Sequence, residues 1–422
     1  MSTLKRSSLS AFIILLYLMQ STIASAQLPP GTNVDESKVP PYTLPDPLVM
    51  SNGTKVKNAK EWITIQRPYI YHLFEENVYG RYPTQPVDIH FKVRESSNNA
   101  LNGTATRKQV RIYLHPTDTT VFTDVLIYLP NSKKTPSPIF LCLNFRGNEA
   151  VNKDPAILPS QHEPQVNAKP LDSIRGTDPY WQIEDAIKRG YGVATAFYGD
   201  MEPDNKDGWE TGIRTTLKDV LKIQPEEWGA LGAWAWGMSR IMDYLQQDPS
   251  IDSKRVALMG HSRLGKASLW AGASDTRFAI VISNESGEGG ATLSKRWFGE
   301  TVKRINDQFP WWFVAAYKKY NDNTASLPLD QHMLLALIAP RPLYVASAEG
   351  DQWSDPKGEF LSAVNASKVY ALFGKKGLGT DIMPPVNHPV GNTIRYHIRT
   401  GKHAVTSYDW QQYLAFADMQ WK

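Results

Sequence analysis

A single cysteine, Cys142, stands in the 422-residue chain, so no internal disulfide can form and no cysteine-built metal site is available. Neither sign of charge dominates: 46 Lys and Arg face 42 Asp and Glu, a formal net charge of +4, which is no nucleic-acid footprint. There is no internal repeat and no low-complexity segment. Beyond the N-terminus no apolar run approaches the ~20 residues that a membrane span needs. The function classes left are those of an ordinary globular protein, 41% hydrophobic and 21% charged, whose stability must come from packing. For that packing the chain has 13 Trp, 19 Tyr and 14 Phe.

The N-terminus reads as a secretory signal. Lys5 and Arg6 precede an apolar run from Ala11 to Met19, and the small residues Ala24-Ser25-Ala26 follow before Gln27. The expectation is a signal peptide over residues 1–26, cleavage near Ala26/Gln27, and a mature chain of 27–422 that is secreted or periplasmic. Without Lys5 and Arg6, 44 basic residues face 42 acidic ones, a net +2. No membrane, nucleic-acid or cofactor partner is expected, and the chain reads as a monomer.

Residues 27 to about 60 are rich in Pro and polar residues, which predicts an N-terminal extension lying as an extended arm on the surface. Apolar residues then recur at helical spacing from Trp62 to Tyr82. The β-type runs Gln109–Leu114 and Asp124–Pro130 follow. From there short buried-strand runs alternate with helical stretches: Ile139–Asn144, Gly192–Phe197, Val256–Met259, Phe278–Ser283 and Pro342–Ser347, with helices over Ile183–Arg189 and Trp228–Gln247. A last strand near Ile394–Ile398 and a helix from Ser407 to about Ala417 close the chain. This alternation predicts one α/β domain over 27–422, a three-layer sandwich with a mostly parallel central sheet.

The chemistry concentrates at Gly260-His261-Ser262-Arg263-Leu264-Gly265. It fits the G-x-S-x-G nucleophile elbow of an α/β-hydrolase fold with one extra residue before the second Gly, between a predicted strand and a predicted helix over Leu264–Ala273. Such a turn lifts the serine hydroxyl from the sheet and aims helix N–H groups at a developing oxyanion; the donors expected are Arg263 and the Phe145–Gly147 loop. A serine needs a base, and the base an acid. His403, after the last strand and before the last helix, is placed where the base of this fold belongs; His388 is the alternative, and His397 falls inside a strand. Two loop carboxylate clusters compete for the acid: Glu285/Glu288 after one strand and Glu349/Asp351 after the next. Lys266 sits in the first helical turn, where the macrodipole disfavours a cation, so it is either a ligand-binding group or a snorkelling surface lysine.

Gly260-His261-Ser262-Arg263-Leu264-Gly265-Lys266 resembles the G-x-S-R-x-G-K signature of the glucuronoyl esterases, carbohydrate esterase family 15. Glu285-Ser286-Gly287-Glu288-Gly289-Gly290 is similar to the family's E-S-G-x-G-G segment. The resemblance implies a secreted esterase that cleaves the ester between (4-O-methyl-)glucuronic acid of glucuronoxylan and lignin alcohols, with no metal or cofactor; another carbohydrate acyl esterase, such as an acetyl xylan esterase, is the alternative. It assigns Ser262 as nucleophile, His403 as base, Glu285 as the favoured acid with Asp351 a second candidate or supporting partner, and Arg263 as oxyanion donor. Lys266, Glu300, Gln308 and Trp353 would bind the sugar. His261 stands where fungal members carry a disulfide-bonded cysteine, which points to the bacterial branch. Trp311, Trp312, Trp353 and Trp410 fit a carbohydrate enzyme.

Overall fold

The computed structural model describes residues 28–133, 135–161 and 170–422. The signal-peptide expectation therefore falls outside the described residues. By its contacts the chain divides into Met1–Thr32 and Asn33–Lys422. The first unit contributes a turn at residues 29–32, closed by Thr32 N donating to the Pro29 carbonyl.

The centre of the second unit is a ten-stranded sheet: β1 (His90–Ala100), β2 (Ala105–Tyr113), β3 (Phe122–Pro130), β4 (Ser137–Asn144), β5 (Gly192–Phe197), β6 (Ile251–His261), β7 (Ile280–Asn284), β8 (Leu343–Ala348), β9 (Val390–Gly391) and β10 (Ile394–Arg399). The spatial order is β1-β2-β3-β5-β4-β6-β7-β8-β10-β9. β1, β2, β3 and β5 pair antiparallel, every neighbour from β5 to β10 is parallel, and β9 returns antiparallel at the far edge.

Both faces of the parallel part are covered, which is why those strands read as unbroken apolar runs. Side chains alternate across the sheet. Leu141, Leu258 and Val281 join the core on one face, with α1 (Arg67–Phe74), α3 (Ala230–Leu245), α4 (Arg263–Ser274) and α5 (Pro356–Ala371). Their neighbours Phe140, Cys142, Met259 and Ile282 join the core on the other, with α2 (Ile183–Arg189) and α6 (Ser407–Trp421). These layers make the α/β-hydrolase sandwich expected from the sequence. Trp410 belongs to that second core, 1% exposed with its indole N–H on the Tyr180 carbonyl, so it faces no sugar.

The helical stretch from Ala59 to Tyr79 fixes the helix that carries the nucleophile. Tyr71 and Tyr79 stack on Trp270 of α4, each with ring centroids 4.8 Å apart. Each such pair adds about 0.5–1.5 kcal/mol beyond its buried area.

Candidate active site

Every candidate catalytic residue follows the carboxyl end of a parallel strand, where open α/β sheets bind ligands. Ser262 follows β6, Glu285 follows β7, Asp351 follows the β8 end and His403 lies between β10 and α6. Ser262 has φ 55° and ψ −127°, a conformation that a side-chain-bearing residue holds only under constraint. The constraint comes from its neighbours. Ser262 N donates to the Asn284 carbonyl at 2.9 Å and Gly265 N to the Ser262 carbonyl at 2.9 Å. A Cβ at Gly260 would sit 2.0 Å from the Leu264 carbonyl oxygen, and one at Gly265 3.0 Å from Ser286 Cβ. The extra residue before the second glycine thus leaves the elbow closed: α4 starts directly at Arg263, with its first N–H groups lacking intrahelical acceptors.

The strand-end loops of β8 and β10 are zipped together by Glu349 N to the Arg399 carbonyl (2.9 Å) and Gly350 N to the Gly401 carbonyl (2.8 Å). This zipper brings residues 52 apart in sequence into contact: His403 Nδ1 lies 2.7 Å from Asp351 Oδ2 and 3.3 Å from Glu285 Oε2. The structure brings both candidate acids to one imidazole nitrogen, and the carboxylate favoured from the sequence is the more distant of the two. His388 is exposed and faces its own loop through the Val386 carbonyl. His397 is buried in β10 between Tyr344 Oη and Asp409.

Electrostatics differentiate the three groups. Burial works against a charged His403, but the hydrogen bonds and charges of Asp351 and Glu285 outweigh it and raise its pKa to about 10. Burial pushes Glu285 up to about 7, against the opposing pull of His403 and Arg399. Asp351 is also desolvated, yet His403 holds its carboxyl below the usual range. Behind them, burial drives His261 down to about 3. Its neutral ring accompanies His403 at 4.4 Å between centroids, with Nδ1 2.6 Å from Asn284 Oδ1.

Glu285, Asp351 and His403 offer three donor atoms within 4.8 Å of one another, the kind of set a divalent ion accepts. Two ligands of one tetrahedral zinc at ~2.0 Å bonds would stand about 3.3 Å apart. The 2.7 Å contact of His403 with Asp351 is instead that of a direct hydrogen bond.

Arg263 points its guanidinium over Trp312, 4.7 Å from the ring centroid, and pairs with Asp204. Asp204 also accepts from the indoles of Trp311 (2.8 Å) and Trp312 (2.6 Å). Phe309 stacks on Trp312 at 3.8 Å. Lys266 is 4% exposed: Nζ bonds the Ser286 carbonyl at 2.5 Å and lies 3.8 Å from Glu300 Oε2. It is therefore no snorkelling surface lysine; burial lowers its pKa while Glu300 opposes that. Glu300, raised by burial, hangs by its backbone N–H from the Trp353 carbonyl at 2.8 Å. Trp353 is half-buried, and Gln308 is exposed at the end of the short helix Val302–Gln308, one residue before Phe309.

The chain covers 92% of, and is 48% identical over 400 residues to, a relative from an unknown prokaryotic organism named carbohydrate esterase MZ0003; the match spans 92% of this chain as well. It superposes with a TM-score of 0.87 on the glucuronoyl esterase from Solibacter usitatus, at 49% identity over 92% of this chain and 100% of that one. The chain belongs to the glucuronoyl esterases of carbohydrate esterase family 15. A second structure of the family, described as a promiscuous CE15 esterase from the marine bacterial metagenome, aligns with a TM-score of 0.85, 46% identity, and coverage of 92% and 100%. The model of the fungal glucuronyl esterase family matches residues 220–374, a span that holds Ser262, Glu285 and Asp351 and stops short of His403.

Three supports of this family member's site escaped sequence reasoning. Glu359 of α5, buried and raised to about 8 by its desolvation, accepts from Ser286 N (2.9 Å), Gly287 N (3.0 Å) and Ser347 Oγ (2.6 Å). It thereby holds the turn in which Glu285 has φ +46°. Arg399 grips Glu285, and Asp204 grips Arg263. Only Arg399 left a trace in the sequence, as one of the basic residues alternating along β10.

Proposed function

We propose that the protein hydrolyses esters of (4-O-methyl-)glucuronic acid in glucuronoxylan, the alcohol side being supplied by lignin, through an acyl-enzyme on Ser262. Ser262 Oγ adds to the uronic ester carbonyl while His403 takes its proton. The C–O bond to the alcohol then breaks, and His403 returns the proton to the departing oxygen. Water, deprotonated by His403, attacks the acyl carbon, and the uronate leaves as Ser262 regains its proton. Asp351, at 2.7 Å, is the main orienting partner of His403 Nδ1, with Glu285 the second. Arg263 and the first N–H of α4 would stabilise the oxyanion. Lys266, Glu300 and Trp353 would hold the sugar.

The observation that carries this reading is the conjunction of the Ser262 elbow with an imidazole hydrogen-bonded to carboxylates from two successive strand ends. The 46% identity to a relative described as promiscuous supports a second reading, a carbohydrate esterase of wider acyl scope. Export through the N-terminal segment is part of the proposal; among the described residues no helix is long and apolar enough to cross a membrane. Incubation of the purified protein with benzyl glucuronate and with an acetylated xylo-oligosaccharide tests it. Cleavage of the glucuronate alone is expected, cleavage of both favours the wider esterase, and cleavage of the acetate alone overturns the substrate.

A further inference from the structure

Trp297 is 41% exposed and has φ 52° and ψ 41°. A bulky residue in the left-handed region is an outlier, and here the strain serves no burial of the ring. The conformation is fixed nevertheless. Asn33 Nδ2 donates to the Trp297 carbonyl at 3.3 Å, and the indole N–H bonds Thr324 Oγ1. Held this way the ring borders a groove of about 490 Å³, whose lining also includes Pro40, Pro41, Tyr42, Asp322 and Asn323. The arm that bears the prolines is itself anchored. Arg296, next to Trp297, pairs with Glu36 at 2.5 Å and with Asp355 at 2.8 Å, and Tyr42 hydrogen-bonds to Arg296.

The chemistry of the lining selects its occupant. Indole, phenol and pyrrolidine faces offer flat apolar surface, and exposed Asp322 and Asn323 offer hydrogen bonds to hydroxyls. Lys295, the cation in the described lining, spends its Nζ on the carbonyls of Thr324 (2.9 Å), Ala325 (3.1 Å) and Leu327 (2.8 Å), so nothing there recruits an anion. A neutral polyhydroxylated chain fits; an acidic one does not. The groove is tied through the chain to Glu300, one of the residues proposed to hold the sugar. Trp297 precedes Glu300 by three residues, a span of at most about 10 Å, and Glu300 is bonded to Trp353.

We propose that this groove is a second carbohydrate site that binds an undecorated, neutral stretch of the xylan main chain. The proposal rests on the reading of the substrate as glucuronoxylan. It gives the arm a task, forming one wall of a polymer subsite with Trp297 on the other.

Electrophoresis of the full-length mature protein through gels containing neutral unsubstituted xylan tests it, beside Trp297→Ala, Trp297→Phe and Tyr42→Ala, each checked for an unchanged thermal transition. The wild type should be retarded, Trp297→Ala should lose about tenfold in affinity for xylohexaose, and Trp297→Phe should recover part of it because a ring remains. Retardation that is equal in wild type and both alanine variants overturns the site. So does retardation by a gel containing lignin but not by one containing xylan. Assay of the wild type on benzyl glucuronate in parallel separates the two claims: cleavage without retardation refutes the groove alone, and retardation without cleavage refutes the esterase reading.

Discussion

Arg399 Nη2 lies 2.5 Å from Glu285 Oε1 and within hydrogen-bonding reach of the carbonyls of Lys402 (3.1 Å) and Ala404 (2.6 Å), the residues on either side of His403. Its Nε holds Asp409 of α6 at 2.8 Å. One buried guanidinium therefore fixes an acid candidate and the loop that carries the base against the last helix.

Removing that guanidinium takes from Glu285 and Asp409 the arginine they share and leaves each with a histidine partner alone, His403 and His397. Arg399→Ala should lower the unfolding free energy by about 3–5 kcal/mol, measured by urea titration of tryptophan fluorescence. Arg399→Lys should recover part of the stability, since the charge remains. It should recover little activity, since one ammonium cannot span Glu285, Asp409 and the His403 loop together. Full activity in Arg399→Lys contradicts this account of the loop.

The division of work between Asp351 and Glu285 predicts a pH effect of known sign. His403 acts as base only when neutral, and its carboxylate partners raise its pKa to about 10. The acid limb of the kcat/KM profile should thus lie above the ordinary imidazole value near 6.5. Asp351→Asn removes the closer carboxylate, so the limb should move to lower pH while the plateau falls, and Glu285→Gln should do the same to a smaller extent. A larger loss in Glu285→Gln reverses the assignment.

Glu359 predicts a pH-dependent stability. Its folded pKa, about 8, exceeds the unfolded carboxyl value of 4.5, so its contribution is fully present below 4.5 and is lost as pH rises through 8. Glu359→Gln keeps an acceptor for Ser286 and Gly287 and removes the titration. Its urea midpoint relative to wild type should therefore rise between pH 5 and pH 8; a constant difference contradicts the burial-raised pKa.

Much of this was legible in the sequence, for identifiable reasons. Buried parallel strands such as Ile139–Asn144 and Gly192–Phe197 announce themselves because both faces are apolar. β1 did not: His90–Ala100 is mostly polar, lies at the sheet edge and pairs with β2 alone. α5 is not among the helices expected from the sequence, although Pro356 behind Asp355, whose side chain caps Gly358 N, marks its start. Glu359 on that helix still had no sequence signature as a support, because its partners lie on the β7–β8 side of the fold. Arg395, His397 and Arg399 alternate along β10 and so share one face of the sheet, and such a basic face is ordinarily solvated. Here His397 and Arg399 are buried, because Asp409 supplies the counter-charge from a helix ten residues further on.

Arg263 and Asp204 predict a graded loss. Arg263→Ala should lower kcat about 10²–10³-fold with a small change in KM, as for the loss of an oxyanion donor. Asp204→Asn frees the guanidinium from its pair and from the Trp311–Trp312 frame, and should cost less than Arg263→Ala in the same benzyl glucuronate assay. Equal or greater KM effects with unchanged kcat would make Arg263 a ground-state binding group.

Steady-state hydrolysis of benzyl glucuronate by Ser262→Ala beside the wild type tests whether Ser262 is the nucleophile. A fall in kcat of at least about 10³-fold is expected in a variant with an unchanged urea midpoint; retention of more than a tenth of the activity would show that Ser262 is not the nucleophile.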